Sequence, residues 1–182
     1  GTVALKDGSR VGVFSAPFPT LLPEGAKAYS AMTDGKEVGL LEIEGDVIPA
    51  ATGVAVVGPA ESYVMVPAAA GAEVPDGNLL AASGAEGITV GTEVPAYVLT
   101  EKDGAACFTL LAGSRHVAPN SAWLTAADAA DALPVRLGRV TGIGRIAENA
   151  VSGAVLHDLG GHRVGKASRG IYISDGKKIL VR

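Results

Sequence analysis

Two Asp-Gly pairs, Asp34-Gly35 and Asp103-Gly104, each sit between short apolar runs, and this punctuation constrains the fold more than any other feature. A tight hairpin needs positive φ at both central residues, which Gly adopts freely and Asp tolerates. Residues 26–32 and 38–43 flank the first pair, and 96–99 and 106–110 flank the second. Residues 11–18 alternate until Pro17, which marks a strand end or edge. Residues 54–57 and 62–66 read as a further strand pair around Gly58-Pro59. With 25 glycines and 10 prolines, the chain is broken too often for long helices. One stretch departs from this grammar. Residues 124–133 are Ala-rich, with Ser121 or Thr125 to cap and Pro134 to stop, and predict one short helix or an irregular connection.

The landmarks recur in order. Ala28-Tyr29 and Ala96-Tyr97 are 68 residues apart, the two Asp-Gly pairs 69, and Pro49 and Pro119 70. Ile48-Pro49-Ala50-Ala51-Thr52-Gly53 also resembles Ala118-Pro119-Asn120-Ser121-Ala122. Near-constant offsets indicate an internal duplication, roughly 11–67 and 80–133, with Tyr29 and Tyr97 as shared core or corner residues. The expected fold is all-β: a β-sandwich or partly closed barrel of two related units within 1–133. A connecting strand region, 134–150, leads to a C-terminal β tail, 151–182. In that tail Asp175-Gly176 joins 170–174 to 177–181, the strongest hairpin signal in the chain.

At 182 residues the chain can bury a core of its own without staples. Cys107 is the sole cysteine, so no intrachain disulfide forms, and its apolar neighbours predict a buried free thiol on a strand. No apolar run is long enough to span a membrane as a helix. A net charge of −4 without a basic stripe or stacked aromatics argues against nucleic acid as a partner. The start at Gly1, directly before a strand pattern, reads as a trimmed end rather than a natural beginning.

The constellations that carry chemistry fail one by one. His157 and His162 flank Asp158, but neighbours on a strand point to opposite faces and Gly160-Gly161 bends the chain, so no metal site is expected. Ser114 and His116, read as loop residues, lack a Gly-x-Ser-x-Gly elbow. Glu42 and Glu44 alternate along a strand about 7 Å apart, as inverting glycosidases require, but also as any solvated strand face shows. Gly142-Ile143-Gly144-Arg145 is too short for a phosphate loop. Trp123, the sole Trp, is the one weak candidate for ligand binding, as a sugar-stacking platform; a packed Trp at a strand end is the preferred reading. No cofactor and no catalytic residue is expected.

Leu156-His157-Asp158-Leu159-Gly160-Gly161-His162-Arg163-Val164, followed by Gly170-Ile171-Tyr172-Ile173 and Gly176-Lys177-Lys178 near the terminus, resembles the C-terminal tail of exported Bacteroidetes proteins. His157 and His162 depart from it, standing where the family usually has an aromatic and often an Arg. The residues that carry the likeness are Asp158, Leu159, Gly161, Arg163, Val164, Gly170, Ile171, Tyr172, Gly176, Lys177 and Lys178. Related tails act as sorting signals for type IX secretion. The body, with its Pro23–Tyr29 and Ile48–Val54 elements, is similar to β-modules found before such tails, which belong to adhesin-like, repeat or hydrolytic surface proteins. The resemblance implies an exported protein, at the cell surface, outside it or in the periplasm, that meets the export machinery through its tail. The expected role is a non-catalytic structural or adhesion module with a weak glycan- or protein-binding face. The alternatives are a small carbohydrate-active or other hydrolytic enzyme, and a passive spacer behind an upstream catalytic domain.

Overall fold

A computed structural model describes residues 2–69, 73, 76–91, 95–127 and 129–138, with the backbone of strands at 156–157, 163–164, 170–174 and 177–181. The protein is all-β: among the described residues every regular element is a strand. The chain divides into two compact units, Gly1–Val140 and Thr141–Arg182.

The first unit begins with β1 (Val3–Ala4), β2 (Arg10–Phe14), β3 (Thr20–Leu21), β4 (Lys27–Thr33) and β5 (Val38–Glu42). There follow β6 (Val47–Ile48), β7 (Val54–Gly58), β8 (Val66–Pro67), β9 (Leu80–Ala82) and β10 (Ile88–Val90). The unit closes with β11 (Ala96–Lys102), β12 (Ala105–Leu110), β13 (Arg115–Val117), β14 (Ala122–Thr125) and β15 (Ala132–Leu137). Ten of these form one mixed sheet, ordered β1-β2-β7-β4-β5-β15-β12-β11-β14-β9, which curls into a half-barrel. Two small sheets accompany it: β6-β3-β8 and β10-β13.

Strand by strand, the sheet is a doubled object. The run β2-β7-β4-β5 is matched by β9-β14-β11-β12, and β3-β6 by β10-β13. Register follows: Tyr29 pairs with Glu42 and Tyr97 with Leu110, while Tyr29 also pairs with Ala55 and Tyr97 with Leu124. The corners before β7 and β14 repeat as well. Ala51 and Asn120 both hold positive φ, +52° and +53°, a conformation that costs most side chains energy. Their N–H groups donate to equivalent carbonyls, Ala16 at 2.7 Å and Gly84 at 2.9 Å. Both halves share one core, in which Val11, Leu40, Ala55 and Val57 meet Tyr97, Phe108, Leu124 and Leu133.

The halves are joined by β15, which neither half completes without. It pairs antiparallel with β12 through Ala132–Pro134 and parallel with β5 through Val135–Leu137. Pro134 is tolerated in this central strand because it stands where one partner ends and the other begins. Leu110 N–H bonds Asp131 O at 2.8 Å, so the ladder alternation leaves Pro134 opposite Cys107 at a place that asks for no donor.

Of the helix or irregular connection expected over 124–133, the helix does not form: residues 126–127 and 129–131 are an irregular connection between two strands. Leu124 ends in β14 and Leu133 in β15, both fully buried, because pairing and core burial outweigh the helix preference of the alanines between them. Two further expectations change. The 54–57 and 62–66 runs do not pair: β7 lies between β2 and β4, whereas β8 pairs with β3 in the small sheet. Tyr63 turns the chain away there, its Oη accepting Ala60 N–H at 3.1 Å. The Asp34-Gly35 loop also differs from the two-residue turn expected. Thr33 pairs with Val38, leaving a four-residue loop in which Asp34 Oδ1 accepts Lys36 and Glu37 N–H at 2.9 and 3.1 Å. Only Gly35 there has positive φ. Asp103-Gly104 does form the two-residue turn, with φ of +53° and +74° between paired Lys102 and Ala105.

In the second unit, β16 (Leu156–His157), β17 (Arg163–Val164), β18 (Gly170–Ser174) and β19 (Lys177–Val181) form a sheet ordered β17-β16-β18-β19. The C-terminal hairpin is present, with Ser174 opposite Lys177.

Candidate functional site

The two outer sheets cover the half-barrel unequally, and their outward faces are where the chain presents chemistry. Under β6-β3-β8, a small core gathers Ala28, Ile48, Val54 and Val56 with Leu22, Tyr63 and Met65. Strand β7 is therefore buried on both faces, Ala55 and Val57 inward and Val54 and Val56 outward. Under β10-β13 the equivalent core holds Val90, Ala96 and Val117, with Val98, Leu111 and Trp123 against it. Because Ala55 matches Leu124, Trp123 stands at the position of Val54. The segment after β7 returns Tyr63 and Met65 to its own outer core, whereas the segment after β14 leaves for the seam. The indole supplies bulk where those two side chains have no counterpart.

Trp123 is thus a half-buried residue within β14, packed against the small outer core. Its Nε1 is buried and has no hydrogen-bond partner among the described residues. Such a donor typically costs 1–3 kcal/mol, on the order of one lost hydrogen bond.

The solvent faces differ in polarity as well. Across the three-stranded sheet, Leu21 pairs with Val47 on one side and Val66 on the other, a row of three apolar residues. Leu21 is 45% and Val66 51% exposed, and the exposed Phe18 and Val64 flank β3 and β8 in sequence. In the second repeat the same row is Thr89 opposite His116. His116 therefore belongs to a strand rather than the loop expected, held there by pairing with β10.

The charged groups are dispersed. Glu42 pairs with Lys27 at 2.7 Å, Glu37 with Arg136 at 2.8 Å across the seam, and Arg10 with Glu61 at 3.9 Å. Lys27 is held above its usual range by the hydrogen bond to Glu42. Glu44 lies past the end of β5, so the alternation that would set it beside Glu42 on one face stops short. Asp34 is held below the usual carboxylate range by the backbone N–H groups it accepts in its loop. Cys107 is buried in β12, its Sγ 3.3 Å from Thr100 Oγ1 and 3.5 Å from Thr109 Oγ1. The tyrosines equivalent by repeat are both buried, and burial pushes both phenols up.

Within the tail, Arg163 and Val164 form β17, Gly170, Ile171 and Tyr172 open β18, and Lys177 and Lys178 open β19. Arg163 pairs with His157 and Tyr172 with Ile179. Asp158, Leu159, Gly161 and Gly176 lie outside the described residues, as do His162 and residues 142–145.

Two polar clusters escaped sequence reasoning. Asn78 Oδ1 accepts Ala31 N–H at 3.0 Å and Leu80 N–H at 3.1 Å, while its Nδ2 donates to Gly53 O at 2.8 Å, tying β9 to the first repeat. The buried Ser15 and Ser83 both donate to Ser121 O, at 2.6 and 2.9 Å. The only signal for the serines is their equivalence, 68 residues apart; Asn78 carries none.

The architecture is that of a duplicated all-β half-barrel with one apolar and one polar outer face. No protein-family model, curated protein or solved structure matches the chain. Among the described residues, no helix is long and apolar enough to cross a membrane.

Proposed function

We propose that the chain is a non-catalytic structural or adhesion module of an exported protein, binding protein or glycan through an outer face and sorted through its tail. The observation that carries the binding part is the Val47–Leu21–Val66 row, an apolar strip left on the solvent side of a sheet whose other side is already packed. Exposed contiguous apolar surface of this kind marks contact sites more often than chance. Dispersal of the carboxylates into ion pairs and turns, and enclosure of Cys107 between two threonine hydroxyls, support the non-catalytic part. Export rests on the order and spacing of the tail residues from Leu156 to Lys178.

The test is binding of the whole chain to immobilised polysaccharides, mucin glycans and matrix proteins, beside the Leu21→Asp and Val66→Asp variants. The expected result is retention on at least one surface, weakened at least tenfold by either variant, with no change in the bound material. Release of a cleavage product, or retention indifferent to both variants, contradicts the reading. For sorting, removing residues 151–182 in the native host is expected to abolish surface delivery while the remaining chain stays folded.

A further inference from the structure

We propose that the outer edge of β10 is a strand-acceptor site, taking an extended segment of another protein in antiparallel pairing, as β3 takes β8 within the first repeat. Strand β3 is paired on both sides, with β6 and with β8. Its equivalent, β10, is paired only with β13 among the described residues. The segment that would supply the third strand is committed elsewhere, because β15 runs between β12 and β5. The second repeat therefore keeps the acceptor and has lost its own donor.

The direction of the backbone groups follows from the first repeat. Leu22 N–H bonds Asp46 O at 2.7 Å toward β6, and Ala68 N–H bonds Pro19 O at 2.8 Å from the β8 side. Alternation then makes Leu21 and Val66 the narrow, doubly bonded pair, and sets Pro67 opposite Thr20 where no donor is needed. Leu21 corresponds to Thr89, which is paired with His116 as Leu21 is with Val47. The N–H and C=O of Thr89 accordingly point away from β13, and Ile88 beside it is 41% exposed. An unpaired strand edge of this kind is a ready template for strand addition.

The chemistry of the occupant is read from β8. It is an extended segment with a free N–H and C=O opposite Thr89 and any residue, proline included, opposite Ile88. It carries a large apolar side chain opposite Val90, where Met65 reaches the outer core of the first repeat. There it would lie over Val90 and Trp123, extending the smaller of the two outer cores.

The probe is a capped peptide with the sequence Ser62-Tyr63-Val64-Met65-Val66-Pro67-Ala68, titrated into the full isotope-labelled chain and followed by amide shifts. Saturable shifts centred on residues 87–91 are expected. They should fall at least tenfold in affinity when the peptide is N-methylated at the residue matching Val66, which removes the donor to Thr89 O and leaves the protein untouched. Thr89→Pro removes the outward donor on the protein side and is expected to have the same effect. Shifts at residues 19–22 instead, or binding insensitive to N-methylation, would overturn the proposal. So would a concentration-dependent dimer that Thr89→Pro dissolves, which assigns the edge to a second copy of the chain.

Discussion

Strands β8 and β15 occupy matching places in the two repeats and have opposite fates. The first repeat folds its last segment back onto its own outer sheet, where Val66 stays exposed and Met65 adds to a local core. The second sends its last segment across the molecule, where Leu133 and Val135 are buried in the core shared by both halves. A duplicated unit closed on itself twice would give two independent beads. Diverting one strand to the seam makes one half-barrel, and leaves the second half with an edge that is unpaired among the described residues and a tryptophan in place of a valine. The comparison teaches that a repeat can be joined to its copy by reassigning a single strand.

The largest effect that bears on this contrast is truncation of the two strands. Leu133→Ala is expected to destabilise the chain by about 3–4 kcal/mol, because it opens a cavity between the halves. Val66→Ala, in the matching strand of the first repeat, should stay within about 0.5 kcal/mol. Denaturant unfolding reads both, and comparable losses would erase the distinction between seam strand and cover strand.

A smaller effect tests the contact of the first repeat with β9. A Cβ on Gly53 would sit 2.7 Å from Leu80 O, so Gly53→Ala must push two backbones apart, at about 1–3 kcal/mol. Its counterpart in the second repeat is Ala122, where a Cβ is already accommodated in the core. There Ala122→Gly should cost only about 1 kcal/mol, from added freedom of the unfolded chain. A neutral Gly53→Ala would mean that β7 and β9 do not approach as closely as described.

The smallest is a pH effect shared by both halves. Burial raises the phenols of Tyr29 and Tyr97 above the unfolded value of 10.0. The neutral form is thus the one the fold favours. Its contribution is complete below pH 10 and declines as pH rises through the folded values, so stability should fall in the alkaline range. Tyr97→Phe should blunt that fall. An alkaline limb unchanged in Tyr97→Phe would show that this phenol does not titrate upward in the fold.

Local chemistry made much of this legible. The duplication was visible because turn residues are dictated locally: an αL corner recurs as Ala51 and Asn120, and the Asp103-Gly104 turn needs both its residues. Cys107 was readable as buried from its apolar neighbours, and Tyr29 and Tyr97 as core or corner residues from their equivalence in the repeat. Most of what failed depended on distant partners. Alanines at 126, 129 and 130 favour a helix in isolation, but the flanking leucines are claimed by strands on either side. The four-residue loop at Asp34 arises because its carboxylate captures two N–H groups, an option Asp103 does not take at the equivalent place. Of the candidate site, Trp123 was singled out, whereas the Val47–Leu21–Val66 row needed the pairing of three strands far apart in sequence.

The path of β15 is the point on which the whole account turns, and cross-strand proton–proton contacts in solution measure it directly. Strong backbone contacts from Val135, Arg136 and Leu137 to Val38, Gly39 and Leu40, in parallel register, are the predicted result. Contacts from residues 132–137 to Ile88, Thr89 and Val90 instead would contradict it, because the second repeat would then cover its own outer sheet as the first one does.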